Sequence, residues 1–148
     1  MRLLLDTCVL MDFFLGREPF VHDARRLFVM RYFRDAELWT SAKSYTDLFY
    51  VGSRAHGAAE MQRMIVRALP ELKICSIDER DIHAALAEGW EDFEDCVVWQ
   101  AARKVRADYI VTRNEADFTR SDIPALSPAA LLEHAEKDLG LAYEDVTF

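Results

Sequence analysis

Residues 92–118 read DFEDCVVWQAARKVRADYIVTRNEADF. Asp92 and Asp95 stand three apart, so they share one face near the start of a helix running from about Phe93 to Arg106. Asp95 leads straight into the apolar run Cys96-Val97-Val98-Trp99, which sets it against the core and leaves Asp92 as the natural N-cap. A short apolar strand, Tyr109–Thr112, follows and empties into Arg113, Asn114 and Asp117. A buried helix feeding a buried strand that ends in polar side chains is the repeating unit of a parallel α/β sheet. In such sheets ligands sit beyond the carboxyl ends of the strands.

The same design opens the chain. LLLDTCVLMD, Leu3–Asp12, runs an apolar strand, Arg2–Leu5, into Asp6 and a helix beginning near Cys8. Further strands are expected at Glu37–Thr40, Leu72–Ile77 and Ala125–Leu126, with the first, third and fourth strands covered on both faces. Helical periodicity appears over Pro19–Arg34, Ala42–Gly57, Ala58–Leu69, Asp78–Gly89 and Pro128–Leu139, the last announced by Ser127 and Pro128 and ended by Gly140. With no linker, repeat or low-complexity segment, 1–148 reads as one α/β domain: a three-layer α/β/α sandwich around a mainly parallel sheet of four or five strands, with 142–148 an arm or disordered tail.

Composition is that of an ordinary globular chain, 51% hydrophobic and 30% charged. No apolar run approaches the roughly 18 residues of a membrane span, and no signal-peptide pattern opens the chain, so the expected location is cytoplasmic, with no membrane partner. Cys8, Cys75 and Cys96 form no CxxC pair and are expected to act as small buried hydrophobes, while the four histidines fit no ligand spacing, which argues against zinc. The net charge of −8 argues against a nucleic-acid partner only superficially. Residues 78–95 carry −7 and residues 133–148 carry −4, leaving +2 on residues 1–77 and +1 on residues 96–132.

The acids remain. Asp6 follows a strand, as a helix cap or as one wall of a site. Asp12 is a surface acid or a second member of that wall. Asp47 lies inside a helix among Leu48, Phe49, Tyr50 and Val51, where aspartate is a poor helix former. Asp95 and Asp117 follow as above, Asn114 or Asp117 serving otherwise as a cap. Capping accounts for each acid separately, but the topology brings four of them to one sheet edge. Two carboxylates about 4 Å apart repel by several kcal/mol at an effective dielectric near 20, so the cluster needs raised pKa values or a cation. Oxygen donors without His or Cys favour Mg²⁺ or Mn²⁺.

With these residues in place the chain resembles the PIN-domain family, and in particular VapC-type ribonuclease toxins, over nearly its whole length to about residue 135. LLLDTCVLMD is similar to the family's opening, Asp92–Phe118 to its acid–helix–strand–TRN-x-x-DF segment, and IPALSPAALLEH to its closing strand and helix. The resemblance implies a metal-dependent endoribonuclease cutting single-stranded RNA, with Asp6, Asp47, Asp95 and Asp117 catalytic and Asp6, Asp95 and Asp117 holding Mg²⁺ or Mn²⁺. Asn114, Thr112, Asp12 and Asp92 are secondary candidates, and Arg113, Arg17 and Lys43 candidate phosphate contacts. It also implies a homodimer and a small antitoxin partner, for which Phe13, Phe14, Phe20, Tyr32 and Phe33 offer a surface if they lie outside the core. Two positions depart from the pattern: Asp47 stands where Glu is usual, and Asn114 where Asp is frequent. They sustain the alternative of a catalytically impaired RNA-binding or protein-interaction module. A phosphotransfer enzyme or receiver fits less well: Cys8 occupies the position of the second acid of a haloacid-dehalogenase pattern, and Arg113 follows the late strand where a receiver has Lys.

Overall fold

The structure is a computed structural model, and residues 1–146 are described. In chain order it runs β1 (Arg2–Leu5), α1 (Thr7–Leu15), α2 (Val21–Tyr32), β2 (Glu37–Ser41), α3 (Ala42–His56), α4 (Ala58–Ala68) and β3 (Leu72–Cys75). Then come α5 (Glu79–Glu88), α6 (Phe93–Val105), β4 (Tyr109–Val111), a 3-10 turn (Glu115–Phe118), β5 (Ala125–Leu126) and α7 (Pro128–Leu139). All strand pairs are parallel, in the order β3-β2-β1-β4-β5.

Side chains alternate across a strand, and β1 shows what that does here. Leu3 and Leu5 enter the apolar cluster built with α1, α2, α3, α4 and α7, whereas Leu4 enters the cluster built with α5 and α6. β4 divides in the same way, Val111 to the first cluster and Ile110 to the second. The sheet is therefore sandwiched between helices on both faces. At about 25 cal/mol per Å² of apolar surface removed from water, each of these fully buried leucines contributes about 2 kcal/mol.

Capping fixes the helix starts. Asp6, Ser41, Asp78, Asp92 and Ser127 each accept a backbone N–H at the first turn of α1, α3, α5, α6 and α7. Close packing of α3 on α4 depends on Gly52, where a Cβ would stand 2.4 Å from the Met61 sulfur.

Three expectations need correction. β3 stops at Cys75 rather than Ile77 and is an edge strand, with Ile74 45% exposed, so it is not covered on both faces. The helix expected over Pro19–Arg34 is confined to Val21–Tyr32, and Arg34 adopts a left-handed φ of 65°. Residues 142–146 are not a loose arm: Tyr143 is buried, its hydroxyl donates to Asp35 at 2.8 Å, and Arg26 donates to its carbonyl at 2.7 Å. The last two residues of that expected tail, 147 and 148, lie outside the described residues.

Candidate functional site at the carboxyl edge of the sheet

β1 and β4 are neighbours and their carboxyl ends lie side by side, Leu5 opposite Val111. The next residue of each strand, Asp6 and Thr112, is thereby brought into contact. The Thr112 hydroxyl, fully buried, donates to Asp6 Oδ2 at 2.8 Å and accepts the Asn114 N–H at 3.1 Å. Asp6 Oδ1 caps α1 through the Thr7 N–H, and the Cys8 thiol donates to Oδ2 at 3.2 Å. Asp6 thus caps α1 and at the same time joins β4 through Thr112. Burial pushes its carboxyl above the ordinary range, against the pull of Thr112, Cys8 and Thr7.

Cys8 departs from the expectation that all three thiols are apolar filler. Cys75 and Cys96 are buried in the second cluster, but Cys8 also accepts the Arg113 N–H at 3.4 Å. Burial and the neighbouring Asp6 push its thiol up to about 11, so it stays a proton donor at neutral pH.

Asp95 faces the same edge from the first turn of α6, beside Asp92, which caps that helix through the Glu94 and Asp95 N–H groups. Burial pushes the Asp95 carboxyl up to about 7, and Asp92, Asp6, Asp117 and Glu94 add to the rise by like-charge repulsion. Asp95 is thus within electrostatic reach of Asp92, Glu94, Asp6 and Asp117, acids from three separate segments. Asp117 reaches it from the exposed 3-10 turn, and Asn114 is exposed just before it.

Asp47 sits differently. On α3 it pairs with Lys43, one helical turn earlier, and Lys43 also bonds Glu94 at 2.7 Å. Burial pulls the Lys43 ammonium down, but its bonds to the two acids more than offset this and hold it above its ordinary pKa. Lys43 therefore ties α3 to α6 across the mouth of the site. Glu94 is the functional candidate that sequence reasoning missed, and the available signal was its place between Asp92 and Asp95 in a helix's first turn. Behind the edge, the Thr7, Ser44 and Ser41 hydroxyls form a buried chain with 2.9 Å links, joining the ends of β1 and β2.

Like Lys43, the other two candidate phosphate contacts turn out to lie near a carboxylate. Arg113 Nε is 3.0 Å from Oδ2 of Asp12, which is buried, and Arg17 also acts on Asp12. Among the described residues no three His, Cys, Asp or Glu side chains converge tightly enough to hold an ion. The donor chemistry of Asp6, Asp95 and Asp117 nonetheless suits a hard divalent cation, because all are oxygen ligands. Their mutual repulsion at Asp95 is what such a charge would relieve.

The model of the PIN domain family matches residues 2–116. The chain belongs to the PIN domain family. No curated protein matches the sequence significantly. Among solved structures, this PIN domain is similar to VapBC-1 from nontypeable Haemophilus influenzae at 16% identity and a TM-score of 0.66, over 87% of this chain and 99% of that one. It is similar to VapBC2 from Rickettsia felis, bound to a DNA fragment from its promoter, at 16% identity and a TM-score of 0.65, over 86% and 98%. A toxin–antitoxin complex from Klebsiella pneumoniae matches at 23% identity and a TM-score of 0.59, over 84% and 96%. At these identities the likeness is one of fold, and it establishes the sandwich as PIN-like.

Proposed function

We propose that this PIN domain is a VapC-type endoribonuclease of the cytoplasm, dependent on Mg²⁺ or Mn²⁺, that hydrolyses phosphodiester bonds of single-stranded RNA. The observation that carries the reading is the placement of Asp6 at the adjoining carboxyl ends of β1 and β4, with Asp95 in the first turn of α6 within electrostatic reach of it and of Asp92, Glu94 and Asp117. Carboxylates gathered at the ligand-binding edge of a parallel sheet suit a cation. PIN domains are generally nucleases and typically depend on divalent metals.

When bound, the ion supplies a more acidic water and neutralises charge developing on the phosphodiester. Asp6, Asp95 and Asp117 would supply its oxygen ligands, drawing closer together on binding than they stand in this structure. Thr112, Cys8 and the Thr7 N–H fix the Asp6 carboxylate before substrate arrives. Asp47 or Asp117 would orient the attacking water, and Lys43, Arg113 and Arg17 would meet backbone phosphates. Thr112 and Asp92 serve as supports, the first by its bond to Asp6 and the second by starting α6.

That structurally similar proteins form toxin–antitoxin complexes supports a toxin role with an antitoxin as partner, and a homodimer is proposed beside it from the family resemblance alone. Of the five aromatics considered for such a surface, Phe14 is buried, whereas Tyr32 and Phe33 are 75% and 61% exposed. Phe13, Phe14, Phe28, Tyr32 and Met64 line a groove of about 390 Å³ together with Arg25, Arg67 and Glu71, which fits an apolar segment of a partner.

The pairing of Asp47 with Lys43 favours a second reading, an impaired module that binds RNA or protein without cutting. Melting with and without millimolar MnCl₂ separates the two. An ion at about a hundred times its dissociation constant adds about 2.7 kcal/mol to the folded state. The wild type is expected to gain stability and Asp95→Asn to gain none. A wild type indifferent to Mn²⁺ would put the binding-module reading first.

A further inference from the structure

Asp12 lies one and a half turns beyond Asp6 on α1, and only 1% of it is exposed. Neither of its carboxylate oxygens has a hydrogen-bond partner among the described residues, and nor does Arg113 Nε. The 3.0 Å approach of Nε to Oδ2 is thus an ionic contact without hydrogen-bond alignment. Burial pushes the Asp12 carboxyl up, while Arg113 and Arg17 pull it back. A buried carboxylate held by charge alone is a poor stabilising device, since an apolar side chain would fill the same space without desolvation cost. Its presence calls for another role.

Arg113 supplies one. Its guanidinium carbon stands 4.3 Å from the centre of the Phe20 ring, and Phe20 is 41% exposed. The guanidinium is therefore held on its Nε edge by Asp12 and on one face by Phe20. Its two Nη nitrogens make no hydrogen bond among the described residues, and the side chain is 30% exposed. The backbone of Arg113 is anchored at the acidic site: it follows Thr112, the donor to Asp6, and its N–H donates to Cys8 Sγ. A planar fork fixed on one edge and one face, with its remaining donors turned outward, matches a phosphate in two-point contact. It also answers an electrostatic need, because the acids around Asp95 repel a polyanion.

We infer that Asp12 and Phe20 are positioning residues that hold Arg113 as a clamp for a backbone phosphate of the RNA, adjacent to the phosphodiester that is hydrolysed. The inference rests on the ribonuclease reading above.

The sign of one substitution tests it. Asp12→Asn removes a negative charge near the path of the RNA, which by charge alone tightens binding; a lost clamp loosens it. The probe is a fluorescein-labelled single-stranded oligoribonucleotide of mixed sequence. Its anisotropy is followed from 50 to 200 mM NaCl in EDTA, with Asp95→Asn as the non-cleaving parent. Asp12→Asn and Phe20→Ala are expected to weaken binding several-fold. Arg113→Ala is expected to weaken it about tenfold and to reduce the salt slope by about 0.7, one phosphate contact on a single strand. Arg113→Lys, which keeps the charge facing Asp12 but not the fork, should regain the slope without the affinity. Binding that tightens or stays level in Asp12→Asn, with the salt slope unchanged in Arg113→Ala, overturns the clamp and leaves the ribonuclease reading standing. A parent that does not bind the oligonucleotide overturns both.

Discussion

Replacing Asp95 with Asn removes a strongly perturbed carboxylate of the acidic edge, and the effect on stability has a definite sign. The gap between an ordinary aspartate at 3.8 and about 7 in the fold corresponds to about 4 kcal/mol at full strength. Asp95 is only partly buried, and solvent screening brings the figure down to about 1–2 kcal/mol. Between about pH 4 and 7 the folded state retains a proton that the unfolded chain has released. Stability contributed through this group therefore falls as pH rises across that window, and the loss is complete above about 7. Asn cannot ionise and escapes the loss, although it forgoes up to about 0.5 kcal/mol of helix-dipole attraction in the first turn of α6. The net gain at pH 8 is about 1 kcal/mol, which for a domain of this size raises Tm by about 2–4 °C. Circular-dichroism melts in EDTA at pH 4.5 and pH 8 should show the variant level with wild type or slightly below it at the lower pH, and above it at the higher. A variant that melts lower than wild type at both pH values, by the same amount, would refute the crowding of acids around Asp95.

Two further substitutions probe the supports. Thr112→Val strips a buried donor from Asp6 and an acceptor from the Asn114 N–H, and should destabilise by about 1–3 kcal/mol in urea unfolding, more at pH 8 than at pH 4, because the ionised Asp6 is the form the hydroxyl favours. Tyr143→Ala, which empties a buried site against α2 and leaves Asp35 without its phenol donor, should cost about 2–4 kcal/mol in the same assay; an unchanged midpoint would mean that residues 142–146 do not pack as described.

How far the sequence could be read depended on the range of the interaction. The α/β alternation and the caps at Asp92 and Ser127 are written in neighbouring residues, and the structure places them where local rules put them. The sandwich followed because Leu3, Leu4 and Leu5 leave no polar face, which requires cover on both sides. Lys43 and Asp47, one helical turn apart, were also within reach of a spacing rule, although the link onward to Glu94 was not. Long-range partners carry no local signature. Cys8 reads as a small hydrophobe until β4 is set beside β1 and brings Thr112 and the Arg113 N–H against its sulfur. Asp12 reads as a surface acid until Arg113, far along the chain, is seen to cover it. The exposure of β3 was hidden for a related reason, since apolar content does not say which strand lies at the sheet's edge.

The proposed ribonuclease requires a divalent ion at Asp6 and Asp95. The most direct test incubates wild type and Asp6→Asn with 5′-labelled single-stranded RNAs of mixed sequence, in MnCl₂ and in EDTA, and resolves the products on a denaturing gel. Cleavage by wild type is expected in MnCl₂ and none in EDTA, with a loss of about a hundredfold or more in Asp6→Asn while its melting curve still shows a cooperative fold. Cleavage that persists in EDTA, cleavage undiminished in Asp6→Asn, or a wild type that cuts none of the RNAs in MnCl₂ would contradict it.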